Sequence, residues 1–214
     1  VEGGIQGKID HNSCGSSLWK TTLAQLLVGL RLNDIALFKK GVENTKWQLS
    51  FFDDSGIFTT WALKGANAYH YSHNVPVMLG GLTEIYASIS YDFMEHKLRN
   101  GLSIKEVMDR QYEIFLDPHI LDSYVKKNPV DYKGTPNAVY LNSSAEEIRN
   151  ENKDNLFVFV RNLPRYIDTY RADIGDSQEF ERILLDQPES VSEWVAWKSL
   201  GAFQPMDPYL AYKS

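Results

Sequence analysis

The feature that most limits what this chain can fold into is a set of apolar residues at helical spacing near its start. From Ser16 to about Leu32, the residues Leu18, Trp19, Leu23, Leu26, Leu27 and Leu30 recur at intervals of one to four, which places them on one side of an α-helix. Helices in proteins draw most of their stability from burying such a face, so a second element must cover it. Asn33 or Asp34 caps that element, which carries Ile35, Leu37, Phe38, Val42 and Trp47 toward Phe52. Asp53-Asp54-Ser55-Gly56 is then a turn.

The pattern persists along the chain. Residues 57–73 read as irregular. Asn74 is a cap for a helix from Val75 to about Phe93, with Pro76 tolerated in its first turn. Gly80-Gly81 would let a neighbouring helix approach closely there, at a cost in helix propensity. Ser103-Ile104-Lys105-Glu106 fits a capping box opening a helix to about Phe115, and Asp117-Pro118 opens another to about Lys127. A polar loop region covers 128–155, interrupted by a short helix starting at Ser144-Ala145-Glu146-Glu147. Asn155–Arg171 is helical with Pro164 bending or breaking it, and two more helices lie near 177–187 and 190–200. The tail from Gly201 is aromatic but irregular. No convincing period-two run occurs; Leu156–Val160 is the one ambiguous stretch. The expectation is an all-α chain of antiparallel hairpins, read as a single helical domain over 1–214.

Composition narrows the function. The 214 residues are 43% hydrophobic and 23% charged, as in ordinary globular proteins. The net charge of −6 comes without a basic stripe, so nucleic acid is not an expected partner. No run of eighteen apolar residues exists to span a membrane. Aromatics are plentiful, with 12 Tyr, 10 Phe and 5 Trp, and such rings serve both cores and sugar stacking. A single cysteine excludes an internal disulfide and a Cys-based zinc site. The start Val1-Glu2-Gly3-Gly4, without Met or a leader, raises the expectation of a removed leader or a longer parent chain.

Two stretches carry the chemistry. The first is Asp10-His11-Asn12-Ser13-Cys14, just ahead of the first helix. A thiol at a helix start has the lowered pKa that a peptidase nucleophile needs, and burial as a small hydrophobe is the competing reading of Cys14. The second is Lys64-Gly65-Ala66-Asn67-Ala68-Tyr69-His70-Tyr71-Ser72-His73-Asn74, dense in groups with protons to exchange. His70 and His73 form H-x-x-H, and with His11 they supply three imidazoles that suit zinc.

These stretches, taken in order, resemble the alginate lyase family of helical-toroid polysaccharide lyases. The pieces are Asp10-His11-Asn12-Ser13, then Trp19, then Leu23-Ala24-Gln25-Leu26-Leu27, Gly41-Val42-Glu43, Asp54-Ser55-Gly56-Ile57, Lys64 to Tyr71, and Leu79-Gly80-Gly81-Leu82-Thr83-Glu84-Ile85. The likeness covers about residues 8–120, with Lys64 and Asn67 standing where the family carries Arg. It implies a partial (α/α) toroid, periplasmic or secreted, that takes an acidic polysaccharide and needs no metal or other cofactor. β-Elimination removes the C5 proton of a uronate and protonates the departing O4, so the enzyme must neutralise the carboxylate and place a base and an acid beside the sugar. The resemblance favours His11 and Tyr71 as catalytic, with Asn12 neutralising the carboxylate and His73 an alternative acid–base group. Lys64, Asn67, Tyr69, His70 and Trp61 are the expected substrate-binding residues. A helical carbohydrate-binding or scaffold protein without the chemistry is the competing class.

Overall fold

The structure is a computed structural model that describes residues 16–64, 68–127, 144, 147 and 164–173. His11, Asn12, Cys14, Asn67, the Leu156–Val160 stretch, the Pro- and Gly-containing segment 128–143 and the expected helices beyond residue 173 lie outside them. The described part is all-α. Helices α1 (Ser16–Leu32), α2 (Ile35–Leu49), α3 (Thr59–Ala62), α4 (Ala68–Ser72), α5 (Asn74–Ala87), α6 (Ile104–Leu116), α7 (Asp122–Lys127) and α8 (Pro164–Tyr170) follow one another, with a 3-10 turn at Pro118–Leu121 before α7. Among the described residues there is no strand, and pairing is limited to isolated bridges at Phe52–Phe58 and Lys97–Ser103.

The α1–α2 hairpin forms as the leucine spacing predicts. Trp19, Leu23 and Leu26 are buried along one face of α1. Asn33 ends this helix in the left-handed region at φ 53°, and the Asp34 N–H donates to the Gly29 carbonyl at 2.8 Å, closing the last turn. Asp34 then caps α2 by accepting the Leu37 N–H at 3.0 Å. The helices touch where side chains are missing. A Cβ on Gly29 would stand 2.7 Å from the Phe38 backbone nitrogen, and one on Gly41 would stand 2.8 Å from Leu26. A side-chain bond from Asn44 to Gln25, at 2.8 Å, adds a polar tie on the same antiparallel register.

Helix α5 runs through the interior. Every residue from Val75 to Tyr86 except Val77 is buried, so this helix lacks a polar face of the usual kind. The close approach expected at its glycines occurs at Gly81, whose absent Cβ would lie 3.1 Å from Leu23 of α1. Pro76 sits in the first turn, where its missing N–H costs nothing. Asn74 does not cap the helix. Its side-chain amide donates back to the Tyr71 carbonyl at 3.0 Å, and His73 occupies the cap position in helical geometry. The end also comes earlier than Phe93. Ser90 turns left-handed at φ 60°, the Tyr91 N–H returns to the Tyr86 carbonyl at 3.0 Å, and Phe93 folds back to stack on Tyr86 with ring centroids 5.0 Å apart. Burial of Phe93 against the same helix outweighs continuation of the helical pattern.

One charge interrupts the apolar surroundings of α5. The Glu84 side chain is 4% exposed and binds Arg165 of α8 through two bonds, Nε at 3.1 Å and Nη2 at 2.8 Å. The pair is bidentate, the geometry that best offsets the cost of desolvating a carboxylate.

The segment 57–73, read as irregular, instead forms α3 and α4. Their start is set by the Asp53 turn, which is where the sequence predicts it. Asp53 Oδ1 accepts the N–H groups of Ser55 and Ile57, at 2.9 and 3.0 Å, and Gly56 takes φ 74°. Side chains from distant segments hold it. Asn100 donates to the Asp53 carbonyl at 2.6 Å, Gln111 to the Gly56 carbonyl at 3.1 Å, Arg110 to the Ser55 carbonyl at 3.0 Å, and the Tyr124 phenol to Asp53 Oδ2. Partial burial first, and then the Asp53 carboxylate, push the Tyr124 phenol up to about 12, so it remains a donor at neutral pH.

The capping box at Ser103 is present. Ser103 accepts the Glu106 N–H at 3.2 Å, while Glu106 accepts the Ser103 N–H at 2.6 Å. The backbone N–H and hydroxyl of Ser103, followed by Lys97 at 3.3 Å, hold the Glu106 carboxyl down at about 2. A second box joins Ser144 and Glu147, at 3.2 and 2.7 Å.

Two outcomes follow from these contacts. Arg165→Met leaves the Glu84 carboxylate buried and unpaired and should cost on the order of 3 kcal/mol by urea unfolding, whereas adding Glu84→Leu should recover most of the loss. Equal instability of the single and double variants would show that the ion pair is not what the site requires. At the α6 cap, the folded pKa of Glu106 lies below its ordinary 4.5. The unfolded chain therefore binds more protons in that interval, and the cap's contribution, complete above it, is lost as pH falls from about 4.5 to about 2. The stability gap between the native chain and Glu106→Gln should shrink across that window; a constant gap would contradict the assignment.

Candidate functional site

The candidate residues that the structure describes lie on α3, on α4, in the connection between them and, for His73, at the junction of α4 and α5. α3 is a single helical turn launched by Phe58, and Lys64 comes just after its C-cap residue Leu63. Because α4 is helical, residues 69 and 71 lie about 200° apart around its axis, while 69 and 73 share a face. Tyr69 accordingly turns inward at 3% exposure and Tyr71 outward at 37%. The His73 ring meets the Tyr69 ring edge to face, centroids 4.3 Å apart and planes at 87°. The Lys64 ammonium stands 5.7 Å from the centre of the Tyr71 ring, within cation–π range.

These positions redistribute the expected roles. Trp61, expected to line a subsite, is 1% exposed and packs its ring 4.7 Å from Phe58 in the main core. Tyr69 joins a smaller apolar cluster with Ile57, Ala62, Ala68, Ile114, Leu121 and Val125. Neither offers a ring face for a sugar, because helical geometry points each toward hydrocarbon. His70 lies in α4. Tyr71 is exposed with the half-buried Lys64 beside it, and His73 is half-buried one turn away from Tyr69. Among the described residues no group of three His, Cys, Asp or Glu has the arrangement needed to hold a metal ion.

What the arrangement can do is specific. An exposed phenol can exchange a proton with a bound hydroxyl or sugar carbon, and an ammonium over its ring can pair with an anionic substituent on the same ligand. The sequence reading did not single out His119, whose Nδ1 lies 3.2 Å from both carboxylate oxygens of Asp122 on the turn that packs against α4. Its signal was a His three residues before an Asp immediately after a helix-opening Asp117-Pro118.

Substitution separates the two tyrosines of α4. Tyr69→Ala should destabilise the fold by about 3 kcal/mol, as for other buried aromatics, while Tyr71→Phe should leave the unfolding midpoint nearly unchanged. A comparable thermal loss in Tyr71→Phe would show that the fold depends on the Tyr71 hydroxyl. Set against known proteins, the chain matches no family model, no curated protein and no solved structure.

Proposed function

We propose that the chain is a polysaccharide lyase that cleaves a uronate-containing polymer such as alginate by β-elimination, on a scaffold of helix pairs arranged as part of an (α/α) toroid. The observation that carries this reading is the exposed Tyr71 phenol with the Lys64 ammonium beside it. Among the described expected site residues, it is the pair that joins an exposed proton-transferring group to a half-buried cation. The ordered resemblance across residues 8–120 and the helical hairpins support the same conclusion.

In this reading the reaction divides among three tasks. Lys64 pairs with a uronate carboxylate as a point charge. Asn12 and His11 neutralise the carboxylate of the reacting sugar, which makes its C5 proton removable. Tyr71 protonates the departing O4, and in a syn elimination the same phenol, as phenolate, first takes the C5 proton, with His11 or His73 as the alternative base. The C5–H electron pair forms the C4–C5 double bond as the C4–O4 bond breaks, so no water is consumed.

The test is incubation of the intact chain with alginate, polymannuronate and glucuronan while following the ultraviolet band of the unsaturated uronate. The band should grow, and Tyr71→Phe should slow it by at least about 100-fold, the usual weight of a general acid or base. Lys64→Met should act mainly on KM, with Lys64→Arg restoring it. Cys14→Ala should change nothing. Polymer binding without the band would instead support a carbohydrate-binding or scaffold protein, and inactivation by thiol reagents would support the Cys14 peptidase.

A further inference from the structure

At the far end of α5, a cleft of about 330 Å³ opens between the last turn of that helix, the 88–94 loop and α8. Tyr71 lies just before the start of α5, so the cleft is separated from it by the length of that helix, about 20 Å. Its walls mix the three kinds of group that recognise a sugar ring. Thr169 brings an exposed hydroxyl, while that of Thr83 is buried and donates to the Leu79 carbonyl at 2.8 Å; Tyr91 and Tyr170 bring aromatic rings with phenolic edges, and Asp92 and Arg165 bring a carboxylate and a guanidinium. Tyr91 is 43% exposed and Arg165 keeps 39% of its side chain exposed, so these groups are reachable from solvent.

The guanidinium is held in place. Glu84, buried beneath it on α5, grips Nε and Nη2 together, which fixes the plane of the fork before any ligand arrives. Asp92 is also oriented, since its Oδ1 accepts the Met94 N–H at 3.1 Å. The charge balance decides the ligand class. Glu84 already offsets Arg165, and Asp109 offsets the Lys105 ammonium that stands over Tyr170, which leaves Asp92 and Glu95 as the net local charge. A carboxylate on the ligand would meet that negative charge, whereas vicinal hydroxyls can donate to Asp92 and a ring face can lie on tyrosine.

We propose that this cleft binds a neutral pyranose residue, as a saccharide site separate from the Tyr71 region. The site does not depend on elimination chemistry, and it prefers an uncharged sugar over the corresponding uronate.

The experiment is calorimetric and NMR titration of the intact chain with neutral glucose- and mannose-based disaccharides and with a matching diuronide. Saturable binding of a neutral disaccharide is expected, with the diuronide at least about tenfold weaker because its carboxylate faces Asp92. Thr169→Trp, at an exposed position of α8, should fill the cleft and abolish binding with an unchanged unfolding midpoint. Asp92→Asn should weaken binding of the neutral sugar about tenfold, as expected for removing a charged acceptor while keeping the turn to Met94. Tyr71→Phe should leave binding intact whether or not the chain proves to be a lyase, so the two proposals fail separately. No saturable binding, binding unaffected by Thr169→Trp, or loss of binding in Tyr71→Phe would each overturn the assignment.

Discussion

Helix α5 has almost no surface of its own, and the rest of the described structure is arranged to cover it. α1 approaches at Gly81, α6 and α8 close other sides, and the 88–94 loop folds Phe93 back onto Tyr86. Burial of this kind stabilises through apolar area removed from water, at roughly 25 cal/mol per Å². It also forces a solution for any polar group the helix carries. Glu84 is that group. Its carboxylate can stay inside only because Arg165 arrives from 81 residues away with a two-bond grip. That pair helps to place α8 and the floor of the cleft beside it, together with burial of Tyr166 and Ile167 in the main core and the bonds from Tyr166 and Arg171 to Asp109.

A second polar knot works differently. The Asp53–Gly56 turn closes itself through short-range bonds, yet four side chains from Asn100, Arg110, Gln111 and Tyr124 reach it as well. The turn thereby becomes the junction where α6 and α7 meet the start of α3. Since Lys64 follows α3 and Tyr71 lies on α4, the orientation of the surface pair depends on this junction rather than on either short helix. Helices of four and five residues hold little stability alone, so their geometry is inherited from what they pack on.

Much of the helix layout was legible in the order of residues. The α1–α2 hairpin, the Ser103 capping box, the Asp53 turn and the close contact at Gly81 each rest on interactions within a few residues or on one missing Cβ. The misread parts share a cause. Nothing local distinguishes an irregular 57–73 from two short helices, since their stability comes from burying Trp61 in the main core and Ala62, Ala68 and Tyr69 in the smaller apolar cluster with Ile114, Leu121 and Val125. The α5 pattern continued to Phe93 because Phe93 is apolar and at a suitable spacing, but its partner is Tyr86 reached by a reversal at Ser90.

Residue types and their spacing determined that this chain is helical, where most helices begin, and which polar residues were dense enough to be candidates for chemistry. Only the tertiary structure decided which of those candidates face water. Tyr69 and Tyr71 are alike in sequence terms, yet the rotation of α4 sends one into hydrocarbon and leaves the other beside Lys64. The joining of Glu84 to Arg165 was likewise invisible beforehand, because a pairing across 81 residues is set by which surfaces bury each other and not by any local periodicity.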